Sequence, residues 1–440
     1  MSKKMVSMIA MLSVMSAFAM GCAKGSGGDS GADAAKDDPN KFNPNEPAEL
    51  VVFTSSGADE ASFNDRFGNY LKKKLPNYTF KFIQSKKGTT LPELMAAGEK
   101  FDIFYHTIGN FEYDLSQYNL QYDMTELIKK NKIDLTKFEP TVIDAIKQVS
   151  DGKMYALPVN IFNIVLYYNK LIFDKFGVPY PKDGMTWDET LATAKKLTRT
   201  ENGLQYYGFA TSPQHILRMN QFSLPTIDIK TGAPTINQNE KWKQFFQTVF
   251  VDPAEDEGYR ALKKIPALSN FTQEQNVAMY AYLSAHIFNN IKGVNWDHVD
   301  MVSLPTFKEL PGIGSQAYPL YFGVTKLSKN PEAAFHALMQ LTSAEFQTES
   351  AKQGNMPVLV DESIRKQIGK EAEYPNKNYN ALYFNKFAPI PPRLPYDANL
   401  VVTYAAQANA LAAGTTDMNT SFRKTEETAL KAIEDLKRAK

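Results

Sequence analysis

The sequence has 440 residues, of which 49 are Lys or Arg and 48 are Asp or Glu, and its formal net charge is +1. With 43% hydrophobic and 12% aromatic residues, it has the composition of a globular protein of roughly two or three domains and not that of a disordered chain. The balanced charge argues against the concentrated basic surface that nucleic-acid binding requires. Cys22 is the only cysteine, which excludes intrachain disulfides, Cys-based zinc sites and iron–sulfur clusters.

The first 21 residues have the pattern of a secretory signal peptide. Lys3 and Lys4 precede an uncharged run that ends at Met20, and this run is too short for a membrane span of ~20 apolar residues. Residues 19–22, Ala-Met-Gly-Cys, resemble a bacterial lipobox, in which the cysteine is acylated; the alternative for Cys22 is an ordinary free thiol. Residues 22–48 are rich in Gly, Ser, Ala, Asp and Pro and predict a flexible linker. We therefore expect a lipid anchor, a tether and a folded body outside the cytoplasm.

The body begins with alternating strands and helices. Apolar runs predict strands at residues 49–54, 78–83 and 101–106, with helices around residues 63–71 and 91–98 between them. This alternation is typical of a parallel α/β sheet, whose ligands bind beyond the carboxyl ends of the strands. The loops at residues 55–57 and 106–111 follow such ends.

Later segments continue the pattern. Two further strands are predicted at residues 155–158 and 164–168, and Thr186 with Glu189 forms a capping box for a helix that runs to about Arg199. Asn330 and Pro331 begin another helix, and an amphipathic stripe from Met418 to Leu436 predicts a terminal helix packed on a core.

Several stretches, in order, resemble the bacterial extracellular solute-binding proteins that serve ABC importers, of the maltose-binding-protein-like type. The most specific is residues 167–181, YYNKLIFDKFGVPYP, which leads into TWDE at 186–189. The others are GKMYALP at 152–158, LPTF at 304–307, SKNPEAA at 328–334 and QGNMP at 353–357. The resemblance extends over roughly residues 49–437, essentially the whole body.

The resemblance implies an α/β, two-lobed periplasmic-binding-protein fold of type II, a Venus flytrap with ligand in the cleft between the lobes. Crossings are expected near residues 157–160, 303–305 and 357–361. Lobe 1 would then comprise residues 49–158 and 306–358, and lobe 2 residues 159–305 and 359–440. The implied mechanism is hinge closure on a solute, with no bond made or broken.

The resemblance also implies ligand-binding positions. Polar contacts are expected at the end of the first strand, after the third strand and after the first crossing, with further positions on the second lobe and one in the Pro-rich stretch at residues 389–395. The candidates are Ser55, Ser56, His106, Asn110, Asn160, Phe162, Gln214, Tyr282, His286 and Tyr396. Arg218 and Arg393 have no assigned place.

The common catalytic and metal motifs are missing from the sequence. The five histidines, His106, His215, His286, His298 and His336, form no HExxH motif, and no P-loop, GxGxxG or GxSxG motif occurs. No metal or cofactor is therefore expected. The three tryptophans, Trp187, Trp242 and Trp296, are expected in the core rather than on a sugar-stacking surface.

The sequence thus predicts a monomeric, lipid-anchored binding protein that captures a small solute, most readily a sugar or oligosaccharide, and delivers it to the membrane permease of an ABC transporter. It is not expected to be an enzyme or to bind nucleic acid. Two alternatives stay open: a surface-anchored carbohydrate-active enzyme, and a receptor of the same fold that signals to a sensor kinase.

Overall fold

The computed structural model describes residues 42–284, 288, 291, 294–394 and 397–438. The predicted signal peptide, Cys22 and most of the predicted linker lie outside these residues. The segment Asn43–Lys440 forms one compact unit.

Strands and helices alternate along this unit. The strands of the described residues are β1 (Ala48–Thr54), β2 (Tyr78–Gln84), β3 (Ile103–Thr107), β4 (Leu157–Phe162), β5 (Ile164–Asn169), β6 (Arg199–Glu201), β7 (Leu204–Thr211), β8 (Val277–Leu283), β9 (Val299–Ser303), β10 (Ile313–Gln316), β11 (Tyr318–Val324) and β12 (Lys386–Ala388). The longer α-helices are Leu91–Ala97, Asn110–Gln117, Pro140–Gln148, Lys170–Phe176, Trp187–Leu197, Glu240–Phe246, Pro331–Leu341, Ala344–Lys352, Asp397–Ala412 and Met418–Arg438. The shorter ones are Glu60–Phe63, Asn69–Lys74, Thr125–Lys130, Pro213–Arg218, Glu257–Ala261, Leu268–Thr272 and Glu362–Arg365.

Two five-stranded sheets organise the fold. The first has the order β2-β1-β3-β11-β4, with β1 parallel to both β2 and β3, and with β11 antiparallel to its two neighbours. The second has the order β6-β7-β8-β5-β9, in which β7 and β8 are parallel and the other pairs are antiparallel. A small parallel pair, β10 with β12, lies apart from both sheets.

Each sheet has its own aromatic core. In the first sheet, Tyr105 of β3 stacks on Phe322 of β11 with 4.6 Å between ring centroids. Beside the second sheet, the rings of Trp187 and Phe209 meet edge to face at 5.5 Å. The prediction for the tryptophans is confirmed, because Trp187, Trp242 and Trp296 are at most 1% exposed. Burial of these large rings removes apolar surface from water and stabilises each sheet separately.

Most of the predicted elements are present, but the strand predicted at residues 155–158 is found at Leu157–Phe162. The first strand is parallel and buried as expected, and the capping box is present, because the N–H of Glu189 donates to Thr186 Oγ1 at 3.3 Å and the N–H of Thr186 donates to Glu189 Oε2 at 2.8 Å. The third strand begins at Ile103, two residues later than predicted, and just before it the Asp102 carboxylate accepts the N–H of Val51 at 2.8 Å.

The chain passes from the first sheet to the second at Asn163, between β4 and β5. Residues 159–162 therefore lie on a strand of the first sheet, although the sequence-based boundary assigned them to lobe 2. The chain returns to the first sheet between β9 and β11. It leaves that sheet a third time after Met356, which forms an isolated β-bridge with Ile161.

Hydrogen bonds at Asn163 and Ile164 tie these passages together. The side-chain amide of Asn163 donates to the carbonyl of Leu382 at 2.7 Å, and its backbone N–H donates to Ser284 Oγ at 3.1 Å. The backbone N–H of Ile164 donates to Ser315 Oγ at 2.9 Å, in a buried position. Buried polar contacts at this crossing therefore join segments that are far apart in sequence.

Replacing Ser315 with Ala is expected to lower the free energy of unfolding by about 1–3 kcal/mol, because it leaves the buried N–H of Ile164 without an acceptor. Denaturant unfolding of the full-length chain measures this change. Ser350→Ala within the helix Ala344–Lys352 is the matched control and is expected to change stability little, because alanine suits a helix. Equal stability of the two variants would show that the Ser315 contact does not hold the crossing.

Candidate functional site

The topology places the carboxyl ends of several strands opposite one another. Strands β1, β3 and β4 run in the same direction, so they end at one edge of the first sheet, where β11 begins. In the second sheet, β7 and β8 end at the edge where β5 begins, since Ile164 pairs with Leu283. These two edges meet at the crossing through Asn163, and the residues that follow the strands there form the candidate cleft.

On the first sheet, the cleft is formed by the end of β3 and the helix Asn110–Gln117. The Ser55 hydroxyl, just after β1, donates to the carboxylate of Asp114 on this helix. The amide nitrogen of Asn110, in the first turn of this helix, lies 3.5 Å from Thr107 Oγ1. His106 is half-buried beside Thr107, with the N–H of Thr107 donating to His106 Nδ1 at 2.7 Å.

Tyr318, the first residue of β11, connects the two sides of the cleft. Its hydroxyl accepts a hydrogen bond from Thr107 Oγ1 at 3.0 Å on the first sheet. It also accepts one from Arg218 Nη1 at 2.8 Å, on the helix Pro213–Arg218 that follows β7 of the second sheet. Tyr318 pairs in register with Phe162 at the end of β4. A single phenol thus contacts residues from both halves of the protein.

The second side of the cleft adds aromatic groups. The ring of His215 meets that of Tyr282 edge to face at 5.1 Å and lies 6.5 Å from the ring of Tyr318. His215 also forms a hydrogen bond with Ser212, with 2.7 Å between Ser212 Oγ and His215 Nδ1. His215 and Arg218 are three residues apart on one helix, which places them on the same face. Flat rings and hydrogen-bond donors therefore occur together.

Burial shifts the pKa values of several side chains in the cleft. Burial, and secondarily the positive charge of Arg218, lowers the pKa of His106 to about 4, so this imidazole is neutral at pH 7. Burial also raises the pKa of Glu112 to about 7 and raises the pKa of Asp114 above its usual range. Burial therefore favours the neutral forms of His106, Glu112 and Asp114, and Arg218 is the cation that contacts Tyr318.

The predicted site residues fall into three groups. The structure brings Ser55, His106, Asn110, Phe162 and Tyr282 to the two edges of the cleft, with Ser56 exposed beside Ser55. Asn160 is buried, with no partner for its Oδ1, and Gln214 is exposed on the helix Pro213–Arg218, next to His215. His286 and Tyr396 lie outside the described residues.

Sequence reasoning missed Thr107, His215, Arg218 and Tyr318. Thr107 directly follows a predicted residue, and the spacing of His215 and Arg218 on a short helix was a usable signal. Tyr318 carried no local signal, because its contact with Thr107 joins residues 211 positions apart.

A cavity of about 350 Å³ lies beside the cleft, lined on one side by Gly109, Phe111 and Glu112 and on the other by Pro392, Arg393 and Leu394. Within the described ranges, no cluster of three or more His, Cys, Asp or Glu side chains is arranged to hold a metal ion. In the same part of the chain, no helix combines the length and apolar character that a membrane span requires.

Comparison with curated proteins gives partial matches. An uncharacterized ABC transporter extracellular-binding protein of Pyrococcus horikoshii is 29% identical over 198 residues, which is 43% of this chain and 42% of that protein. The alignment thus spans less than half of that relative's length.

Solved structures match over almost their whole length. A sugar transporter protein of Rhizobium etli in an open conformation has a TM-score of 0.68 at 20% identity, covering 87% of this chain and 98% of its own. An ABC substrate-binding protein of Listeria monocytogenes in complex with cycloalternan has a TM-score of 0.69 at 19% identity, covering 88% and 100%. At this identity the likeness shows the fold, which is the two-lobed periplasmic-binding-protein fold that the sequence predicted.

The sequence profile of the bacterial extracellular solute-binding proteins matches residues 54–348, more than half of the chain. This stretch runs from the end of β1 to the helix Ala344–Lys352 and so includes both five-stranded sheets apart from most of β1. The chain therefore belongs to the bacterial extracellular solute-binding protein family.

Proposed function

We propose that this protein captures a sugar or oligosaccharide between its two lobes and delivers it to the membrane permease of an ABC transporter. The observation that carries the proposal is the convergence on Tyr318 of Thr107 from the first sheet and Arg218 from the second. A saccharide offers flat C–H faces and many hydroxyls, and it is bound well by aromatic rings interleaved with fixed donors and acceptors.

The cleft of this chain supplies both kinds of group. His215, Tyr282 and Tyr318 supply ring surface, while Thr107 and Asn110 supply hydroxyl and amide groups for hydrogen bonds. The Rhizobium etli and Listeria monocytogenes proteins, which share this fold, are described as a sugar transporter and a cycloalternan complex. Both observations support a saccharide as the captured solute.

Ligand capture is proposed to proceed by hinge closure at the passages near Asn163. A ligand that contacts both edges of the cleft binds the closed form more tightly than the open form and so shifts the population toward closure. The sequence-based lobes are residues 49–158 with 306–358 and residues 159–305 with 359–440. We change this proposal at one place and assign residues 159–162 to the first lobe, since they belong to β4. Binding and release without chemical conversion make the protein a receptor and not an enzyme.

The proposed contact residues are those predicted from the sequence together with the neighbours that the structure adds. The predicted set is Ser55, Ser56, His106, Asn110, Asn160, Phe162, Gln214, Tyr282, His286 and Tyr396, and the added set is Thr107, His215, Arg218 and Tyr318. Asn160 requires a change in its buried surroundings before it can reach a ligand.

Phe162→Ala and His106→Ala are each expected to weaken saccharide binding more than tenfold, about 1.4 kcal/mol, because each removes ring surface at the cleft edge. Thermal shift with a panel of maltotriose, mannobiose, galactobiose and D-mannitol identifies binders, since a ligand of the folded state raises the melting temperature. Calorimetric titration of those binders then gives the affinity. The full-length chain is used in a sugar-free detergent.

Leu430→Ala is the control, because Leu430 is 44% exposed on the C-terminal helix. Unchanged affinity in both cleft variants would remove this site. A saccharide that binds and is chemically consumed would contradict the receptor function.

We further propose that Cys22 carries the lipid that holds the protein at the outer face of the cell membrane. Because Cys22 is the only cysteine, no other thiol can take up fatty acid. Cells expressing the protein with radiolabelled palmitate are expected to yield labelled wild-type protein and unlabelled Cys22→Ser variant. Equal labelling of the two would show that the lipid is attached elsewhere, and no label in the wild type would exclude an anchor.

A further inference from the structure

The guanidinium of Arg218 contacts the centre of the cleft without a carboxylate partner. It donates from Nη1 to the Tyr318 hydroxyl at 2.8 Å, and its central carbon lies 5.8 Å from the ring centroid of Tyr318. Among the described residues, no Asp or Glu forms an ion pair with Arg218. The other N–H groups of this guanidinium have no acceptor among the described residues, and they are not buried. Arg218 therefore keeps hydrogen-bonding capacity that the protein does not use.

A second arginine adds to the positive charge. Arg393 donates from Nη2 to the backbone carbonyl of Arg218 and to Gln316 Oε1, each at 2.8 Å, and its Nε is buried without a partner. Both arginines border one small pocket together with Asp397. Two guanidinium groups thus lie close together at one end of the cleft.

Among the described residues, no carboxylate forms an ion pair with the guanidinium of Arg218 or Arg393. The Asp397 carboxylate accepts a hydrogen bond from the hydroxyl of Thr226. Burial raises the pKa of Asp397, while the positive charges of Arg393 and Arg218 oppose this rise. Glu112 accepts the N–H of Gly109 at 2.5 Å and interacts with Arg393 rather than Arg218, and its pKa of about 7 leaves it partly protonated at neutral pH. The guanidinium of Arg218 is therefore a cation at the cleft whose single side-chain acceptor within the described ranges is the neutral hydroxyl of Tyr318.

Building on the proposed saccharide function, we propose that the preferred ligand is an acidic saccharide whose carboxylate or phosphate binds the guanidinium of Arg218. The planar fork of an arginine matches the two oxygens of such an anion, and a charge-assisted pair of this kind is stronger than a hydrogen bond to a neutral hydroxyl. His215, Tyr282 and Tyr318 then surround the sugar ring that carries the anion.

The test is calorimetric titration of the full-length chain with matched ligands that differ in charge. One pair is digalacturonate and its methyl ester, and the other is glucose 6-phosphate and glucose, so that the pairs separate a carboxylate from a phosphate. We expect the acidic member of one pair to bind at least tenfold tighter than its neutral partner, and this preference to weaken as salt is raised.

Variants assign the preference to Arg218. Arg218→Gln is expected to abolish the difference within the pair, and Arg218→Lys to retain part of it, because lysine keeps the charge but not the fork. Arg423→Gln, at a position 65% exposed on the C-terminal helix, is the control and should keep the full preference.

The outcomes separate the two proposals. Equal or tighter binding of the neutral members, or a preference that survives in Arg218→Gln, overturns the acidic-saccharide inference and leaves saccharide capture standing. If neither these ligands nor the neutral panel binds, both proposals fail.

Discussion

The hydroxyl of Tyr318 is the contact on which the site depends. It accepts hydrogen bonds from Thr107 at the end of β3 and from Arg218 on a helix that follows β7, and it does so at the first residue of β11. Since β3 and β11 belong to the first sheet and β7 to the second, this phenol joins both halves of the molecule. Two other candidate contacts are positioned relative to it, His215 through its ring and Phe162 through strand register.

The fold makes this convergence possible because both sheets present the ends of their strands to the same crossing. The buried hydrogen bonds of Asn163 and Ile164 hold three separate passages of chain close together. Each sheet meanwhile has an aromatic core of its own, such as Tyr105 on Phe322 in the first sheet. Two independently packed sheets joined by a few polar contacts are suited to rigid-body hinge motion, and the proposed capture of a saccharide uses that motion.

Local signals in the sequence predicted the local structure. The Thr186–Glu189 capping box, the buried parallel strand β1 and the core positions of the tryptophans follow from periodicity and side-chain chemistry, and the structure agrees. Contacts between distant segments left no such signal. Arg218 and Tyr318 are 100 positions apart and meet only when the second passage between the sheets is in place. Gln214 and His215 are adjacent on one helix, where a step of one residue is a rotation of about 100°, so the two side chains point in different directions.

The central claim is that saccharide binding brings the two edges of the cleft together, and an inter-lobe distance tests it most directly. Spin labels on Lys87→Cys and Lys230→Cys, two exposed positions on opposite sides, in a Cys22→Ser background report that distance by pulsed electron paramagnetic resonance. With a saccharide that raises the melting temperature, the account predicts a shorter and narrower distance distribution than in the free protein. An identical distribution with the saccharide bound at saturation would contradict it.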